Sequence, residues 1–319
     1  MNQPAWGETT TTDEVIAGID LRGKLALVTG TSAGLGLETA TALARAGAQV
    51  VMAARDAAKN QHAIDAERAQ VPAAQLCHVT LDLADLASVR RAAAEVLAAF
   101  PRIDILVANA GIMACPLART QAGCELQFGT NHIGHFLFIN LLVPALRRSP
   151  AARVVVLSSA GHTAGGVDFD DPHFQRRPYD KWLAYGQAKT ANILYAVALA
   201  ARLQPFGITA NAVHPGAIRT ELGRHLTPDD IQAMLTRWKE APALFYKTPS
   251  QGAATSVWAA TAPSLAGVSG RYLQDCGIAE VVEGPRSIAG VAPYAVDPAL
   301  AERLWTLSEQ IVGERFEFR

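Results

Sequence analysis

The chain has 319 residues, with 28 Lys and Arg against 29 Asp and Glu, a formal net charge of −1. Half of the residues are hydrophobic and 18% are charged, against about 25% charged in an average soluble protein. This composition excludes a globally disordered chain, gives no electrostatic case for nucleic-acid binding, and allows a core that needs no metal or disulfide staple. Cys77, Cys115, Cys124 and Cys276 are scattered with no C-x-x-C pair, the usage of reduced thiols in a cytosolic protein. Met1 to Asp20 carries neither the basic cluster nor the apolar core of a targeting signal. Phe136 to Leu146 is the longest apolar stretch near a candidate span, and it is shorter than the roughly 20 residues a helix needs to cross a bilayer. The expectation is a soluble, cytoplasmic protein with no membrane span and no nucleic-acid partner.

After a lead over residues 1–23, short apolar runs alternate with Ala-rich helical segments. LALVTG (25–30) reads as a buried strand because Leu, Ala and Val run without polar alternation. Residues 39–47 read as a helix stopped by Gly47, residues 49–55 as a second strand, and Asp56 as the cap of the next helix. The cycle continues with strands at 76–83, 103–111, 153–159 and 208–216, and helices at about 85–99, 125–148 and 183–203. Thr227-Pro228-Asp229-Asp230 looks like a helix cap with Pro at the first helical position. Residues 249–260 then look helical and 270–276 read as a last strand. This rhythm predicts an α/β fold: a doubly wound, Rossmann-type parallel sheet of about seven strands with helices on both faces. There is no internal repeat and no long polar linker, so residues 24–319 are read as a single domain.

Gly30-Thr31-Ser32-Ala33-Gly34-Leu35-Gly36 lies between the first strand and the first helix. Gly30 lets the chain turn sharply, Gly34 lets backbone N–H groups approach a pyrophosphate, and Gly36 permits close helix–strand contact; the helix N-terminus offers partial positive charge. The spacing differs from the widely shared G-x-G-x-x-G.

Tyr185 and Lys189 stand four apart on one helix face. A phenol of pKa about 10 is a poor base at neutral pH, and a neighbouring ammonium stabilises the phenolate, so Tyr185 can exchange a proton with a substrate oxygen. Tyr179 has Leu183 in place of a lysine four residues on. His132 and His135 have metal-ligand spacing, but no third ligand accompanies them and their surroundings are apolar, so they read as packing. His162 and His214 read as structural or pocket-lining.

With these motifs in order, the chain resembles the compact branch of the short-chain dehydrogenase/reductase family. The resemblance rests on T-G-x-x-x-G-x-G at Thr29 to Gly36, N-A-G at Asn109-Ala110-Gly111, Ser158-Ser159 after the fifth strand, Y-x-x-x-K at Tyr185 to Lys189, and Pro215-Gly216. It spans about Lys24 to Cys276, and NHIGHF (131–136) looks most like the retinol-dehydrogenase-like subgroup, which handles lipophilic alcohols and carbonyls. The resemblance implies an oxidoreductase in which Ser159 steadies the substrate oxygen, Tyr185 is the acid/base, Lys189 also reaches the ribose hydroxyls, and Asn131 holds a water linking Lys189 to solvent. Ser32, Leu35, Asp82, Leu83, Asn109, Ala110, Gly111, Pro215, Gly216 and Thr220 join the glycines as cofactor contacts. Ala54 stands where NAD-type relatives carry an acid, and Arg55 can fork onto a 2′-phosphate, so NADP(H) is expected over NAD(H).

The connection from Ser159 to Tyr185 is long, and it holds Phe169, Phe174, Tyr179 and Trp182. A second segment, 218–247, holds Leu222, Met234, Leu235, Trp238, Phe245 and Tyr246. Segments 160–184 and 218–247 are therefore read as the substrate side, suited to a steroid- or retinoid-like alcohol or carbonyl, with ordinary packing over the sheet as the competing reading. The tail EVVEGPRSIAGVAPYA (280–295) is expected to close over the pocket or to support an oligomer. Phe136 to Val143 is apolar nearly all round and needs burial on more than one side; by resemblance it would pair with the Tyr–Lys helix across a two-fold axis in a homodimer or homotetramer. The alternatives are an NAD-preferring enzyme for small alcohols, an epimerase or dehydratase of the extended branch, which the glycine spacing disfavours, and a non-catalytic dinucleotide sensor.

Overall fold

The core is built outward from β1 (Leu25–Thr29), all five residues of which are buried; an uninterrupted apolar strand has two faces to hide. In the computed structural model, which describes residues 6–224, 226–228, 230, 232, 245–283 and 289–318, β1 pairs in parallel with β2 (Gln49–Ala54) and with β4 (Ile105–Ala108). Beyond them lie β3 (Gln75–Thr80) on one side, and β5 (Arg153–Leu157), β6 (Thr209–His214) and β9 (Tyr272–Gln274) on the other, all parallel. The eighth strand, β10 (Gly277–Ile278), returns antiparallel along β9, and the sheet order is β10-β9-β6-β5-β4-β1-β2-β3. Seven parallel strands match the sequence reading. The extra strand arises from a tight turn with positive φ at Asp275 (50°) and Cys276 (55°), a conformation that no sequence periodicity announces. Two further short strands, β7 (Ala217–Ile218) and β8 (Tyr246–Lys247), pair apart from the main sheet.

Helices cover both faces. α1 (Thr12–Ile16), α2 (Gly34–Arg45), α3 (Ala57–Gln70) and α7 (Pro249–Thr261) bury one apolar cluster. α4 (Leu86–Ala99), α5 (Gly134–Leu146), α6 (Lys181–Leu203) and α8 (Pro298–Val312) bury the other. Asp56, Asp85, Asp180 and Asp297 accept first-turn N–H groups of α3, α4, α6 and α8, and Thr248 with Gln251 forms a capping box on α7. The lead is docked: the Thr12 hydroxyl lies 2.6 Å from Glu38 and 2.7 Å from Ser250. Thr227 and Asp230 exchange reciprocal cap hydrogen bonds. Met234, Leu235 and Trp238, named for the substrate side, lie outside the described residues, as do residues 284–288 of the tail.

α5 continues a helical turn (Leu126–Phe128) and a π-helical turn (Gly129–Ile133). It is apolar nearly all round, as read, and it has a second cover within the same chain. Trp305 on α8 packs edge-on against Phe136 at 5.1 Å and stacks on Tyr195 of α6 at 6.0 Å, while Arg202 lies 3.9 Å above its ring. Phe316 closes on Phe136 at 5.7 Å. Truncating a buried Trp costs about 3–5 kcal/mol, so Trp305→Ala is expected to lose stability of that order in urea unfolding; a loss below about 1 kcal/mol would show that α8 adds little to the fold.

Candidate active site

The chain order of the sheet reverses between β1 and β4, so a crevice opens at their carboxyl ends, where open α/β sheets take ligands. The glycine turn leaves β1 there. Gly30 has φ +75°, and a Cβ on it would sit 2.8 Å from Ala110 Cα; a Cβ on Gly36 would sit 2.2 Å from the Gly30 carbonyl oxygen and 2.4 Å from Asn109 Nδ2. Only glycine lets the turn close on the Asn109 segment so tightly. α2 begins at Gly34 with no side-chain cap, so its first N–H groups face the crevice unclaimed. Across it stands Thr220, whose methyl would lie 3.6 Å from a Cβ on Gly34. An uncapped helix start, a glycine cradle and a threonine on the far wall suit the pyrophosphate of a dinucleotide.

The other expected cofactor contacts divide by what they already do. Asn109 donates through Nδ2 to the Thr29 carbonyl at 2.8 Å, and the N–H groups of Asn109 and Ala110 both reach Thr29 Oγ1 at 3.0 Å. Asp82 accepts from the Ala84 N–H at 2.9 Å. Leu83 is buried, its carbonyl so close to Gly134 that a Cβ there would stand at 2.3 Å. Gly216 lies against Lys247, which forms a 2.5 Å ion pair with Asp275. Ser32, Leu35 and Pro215 are half-buried along the crevice, and Arg55 is exposed past the carboxyl end of β2 beside Asp56, which caps α3.

Tyr185 and Lys189 come from α6 and Ser159 from the end of β5, where it caps the 3₁₀ turn Ala160–Ala164. Gly161 lies between serine and tyrosine: a Cβ on it would stand 2.8 Å from Tyr185 Cε1 and 3.4 Å from Ser159 Oγ. Ser158, the rival hydroxyl, is buried and donates to the Lys189 carbonyl at 2.8 Å. Burial pushes the Tyr185 phenol up to about 12, with the hydrogen bond to Ser159 pulling the other way. Burial also brings Lys189 down to about 8; its Nζ donates to the Leu157 carbonyl at 3.1 Å and lies 5.7 Å from the Tyr185 ring centroid. Asn131 sits on the π-helical turn, its side chain spanning both polar groups of Ile112 (2.8 and 2.9 Å), and it borders Gly111 together with Lys189: a Cβ on Gly111 would stand 3.3 Å from Asn131 Oδ1 and 3.6 Å from Lys189 Nζ.

Among the described residues no cluster of His, Cys, Asp and Glu could hold a metal. His132 meets Ser308 at 2.8 Å; His135 bonds Thr29 Oγ1 and the Asn131 carbonyl, both at 2.9 Å. Tyr179 donates to the Cys115 carbonyl at 2.9 Å. Phe174 is buried against Tyr179 and under Arg177, so that part of segment 160–184 is packing. Sequence reasoning left out Asn60, which accepts from the Thr31 hydroxyl at 2.8 Å and so fastens the glycine turn to β2. Its one sequence signal is an Asn in the first turn of a helix, too common to single out.

The lysine's lowered pKa makes a stability statement. Below about pH 8 it is charged in both folded and unfolded chains, and folding bears the cost of burying that charge. Between pH 8 and 10.5 the folded state releases the proton first, so this group's contribution to stability rises with pH. Lys189→Met is therefore expected to raise the unfolding free energy at pH 7 by about 1–3 kcal/mol, measured by denaturant titration; a destabilised variant would show that the Leu157 bond outweighs desolvation.

Comparison with known proteins agrees with this geometry. The short chain dehydrogenase family matches residues 24–231. A probable oxidoreductase of Streptomyces lividans is 47% identical over 297 residues, covering 90% of this chain and 97% of that protein. Retinol dehydrogenase 14 of Homo sapiens is 40% identical over 309 residues, covering 92% of this chain and 87% of that protein. Among solved structures, the Pseudomonas aeruginosa RhlG/NADP active-site complex is similar with a TM-score of 0.64 at 28% identity, over 80% of this chain and 95% of that one.

Proposed function

The chain belongs to the short-chain dehydrogenase family, and from that premise we propose that it is a cytoplasmic NADP(H)-dependent enzyme for a bulky, lipophilic alcohol or carbonyl, with Tyr185 as acid and base. It is an oxidoreductase of the retinol-dehydrogenase-like kind, interconverting an alcohol and a carbonyl. The observation that carries the mechanism is the meeting of Ser159, Tyr185 and Lys189 beside the glycine turn at the carboxyl edge of the sheet.

The nicotinamide cofactor, when bound, supplies or takes up the hydride. The residues of this chain handle the proton. In the reducing direction Tyr185 gives its phenolic proton to the carbonyl oxygen as hydride reaches the carbonyl carbon. Ser159 donates to the same oxygen and stabilises its developing charge. Lys189, with one N–H spent on Leu157, keeps two donors for the ribose hydroxyls and lowers the cost of the phenolate by its charge. Asn131, beside Gly111 with Lys189, holds a water through which a proton returns from solvent.

Two observations support the choice of substrate and cofactor. Leu117, Phe245 and Tyr246 are exposed, apolar, and carried by segments that follow β4 or pair with the chain leaving β6. Arg55 is exposed next to Ala54, the position at which an acid would select NAD, and the P. aeruginosa relative was solved with NADP. Four free cysteines accord with a reducing compartment, and among the described residues no helix is long and apolar enough to cross a membrane. A homodimer or homotetramer belongs to the same proposal, with the pairing surface beside α8 because Trp305 already covers part of α5 and α6.

Arg55→Ala is expected to weaken NADPH binding about 10- to 100-fold and to leave NADH unchanged in fluorescence titration; equal effects on both would reject the 2′-phosphate contact. Tyr185→Phe is expected to lower kcat by about 10²- to 10⁴-fold in NADPH-consumption assays on steroid, retinoid and aromatic carbonyls, with cofactor affinity within twofold. Full turnover in that variant would overturn the mechanism.

A further inference from the structure

His162 is fully buried three residues after Ser159, and the mechanism does not use it. Its hydrogen bonds nevertheless join the reacting serine to the end of the chain. The Ser159 carbonyl oxygen accepts both the His162 backbone N–H at 3.0 Å and its Nδ1 at 2.7 Å. The Ala292 N–H donates to His162 Nε2 at 3.1 Å, which makes Nε2 the acceptor and places the ring proton on Nδ1. The Tyr294 hydroxyl donates to the His162 carbonyl at 2.8 Å. Thr190, next to Lys189 on α6, reaches the same carbonyl at 3.2 Å. Tyr272 of β9 packs on the ring at 5.1 Å.

Ala292 and Tyr294 lie far outside the residues matched by the family, which end at 231. Their segment is itself fixed to the sheet edge: Gly290 N–H donates to Gln274 Oε1 at 3.2 Å, and Val291 exchanges backbone bonds with Glu280 and Val282 at 2.9 Å. A ring that is neutral, single in its tautomer and bonded at both nitrogens transmits position well, because tilting it leaves a buried polar group unsatisfied on one side or the other.

We propose that His162 is a positioning residue through which the C-terminal segment Ala289–Val296 sets the orientation of Ser159, so that the active site is completed by residues beyond the stretch 24–231 that the family matches. The proposal rests on the reading of Ser159 and Tyr185 as the reacting pair. It differs from a packing role for the histidine, which shape alone would satisfy.

The test separates shape from hydrogen bonding. His162→Phe fills the space without either bond and is expected to lower kcat tenfold or more while NADPH affinity stays within twofold. His162→Asn keeps a donor near the Nδ1 position but not the Ala292 acceptor, and is expected to recover part of that loss, leaving a severalfold deficit like that of the tail variants. Ala292→Pro removes only the tail's N–H at a residue whose φ of −68° suits proline, and Tyr294→Phe removes only the hydroxyl; each is expected to lower kcat severalfold. A second readout needs no substrate: in both tail variants, amide hydrogen exchange at residues 160–164 is expected to quicken. Wild-type kcat in His162→Phe, no recovery in His162→Asn, or unchanged exchange at 160–164 in both tail variants would overturn the proposal. Absence of turnover in the wild-type protein would defeat the functional reading instead, and the exchange measurement would still decide the coupling.

Discussion

Thr29, the last residue of β1, is fully buried, and its hydroxyl joins the three pieces of chain from which the site is assembled. It accepts from the N–H groups of Asn109 and Ala110 at the end of β4. With both lone pairs engaged, its proton goes to His135 Nε2, which leaves Nδ1–H to donate to the Asn131 carbonyl. One threonine thus fixes the start of the glycine turn, the Asn109–Ala110 segment after β4 and the turn that bears Asn131. A valine there has nearly the same shape but would take the acceptor from the Ala110 N–H and leave the Asn109 N–H only the Val107 carbonyl at 3.1 Å. The crevice follows from strand order; its width follows from this hydroxyl and from Gly36, the contact that lets α2 approach.

Burial of Tyr185 and Lys189 then sets stability against charge. A phenol raised to about 12 and an ammonium lowered to about 8 each sit where the apolar surroundings prefer the neutral form. At neutral pH the phenol is uncharged in the folded and unfolded chains alike, so the folding cost falls on Lys189, and the chain retains it on a helix whose other buried positions are mostly Ala, Ile, Leu and Tyr. The low dielectric that makes the buried ammonium expensive also strengthens the mutual influence of Lys189, Tyr185 and the Ser159 hydroxyl. Active sites concentrate perturbed groups for this reason.

The C-terminal part of the chain does two jobs at neighbouring places. α8 covers α5 and α6 with Trp305, Phe316 and the hydroxyl of Ser308, which reaches His132 one residue beyond Asn131. Just before α8, Ala292 and Tyr294 grip His162 behind Ser159. Both sides of the candidate site, the Asn131 turn and the Ser159 turn, are therefore backed by residues from the last tenth of the chain. Low overall charge has a structural cause here as well: apart from Leu141 and Pro144, every residue of α5 is buried.

The amino-acid sequence alone determined the strand–helix rhythm, the parallel sheet, the glycine turn and the Tyr185–Lys189 pair. Each of these is a local regularity: apolar runs, caps such as Asp56, or residues four apart on one helix. The expected homo-oligomer drew on the same kind of evidence, since an all-apolar helix announces that it needs a second cover. Periodicity does not say whether that cover comes from a partner or from residue 305. Histidines at 135 and 162 and Asn60 were invisible as site builders for a related reason. Their meaning lies in hydrogen bonds to Thr29, Ala292 and Thr31, partners that only tertiary folding brings within 3.1 Å. A buried polar side chain is defined by what satisfies it, and that partner is a property of the packed chain.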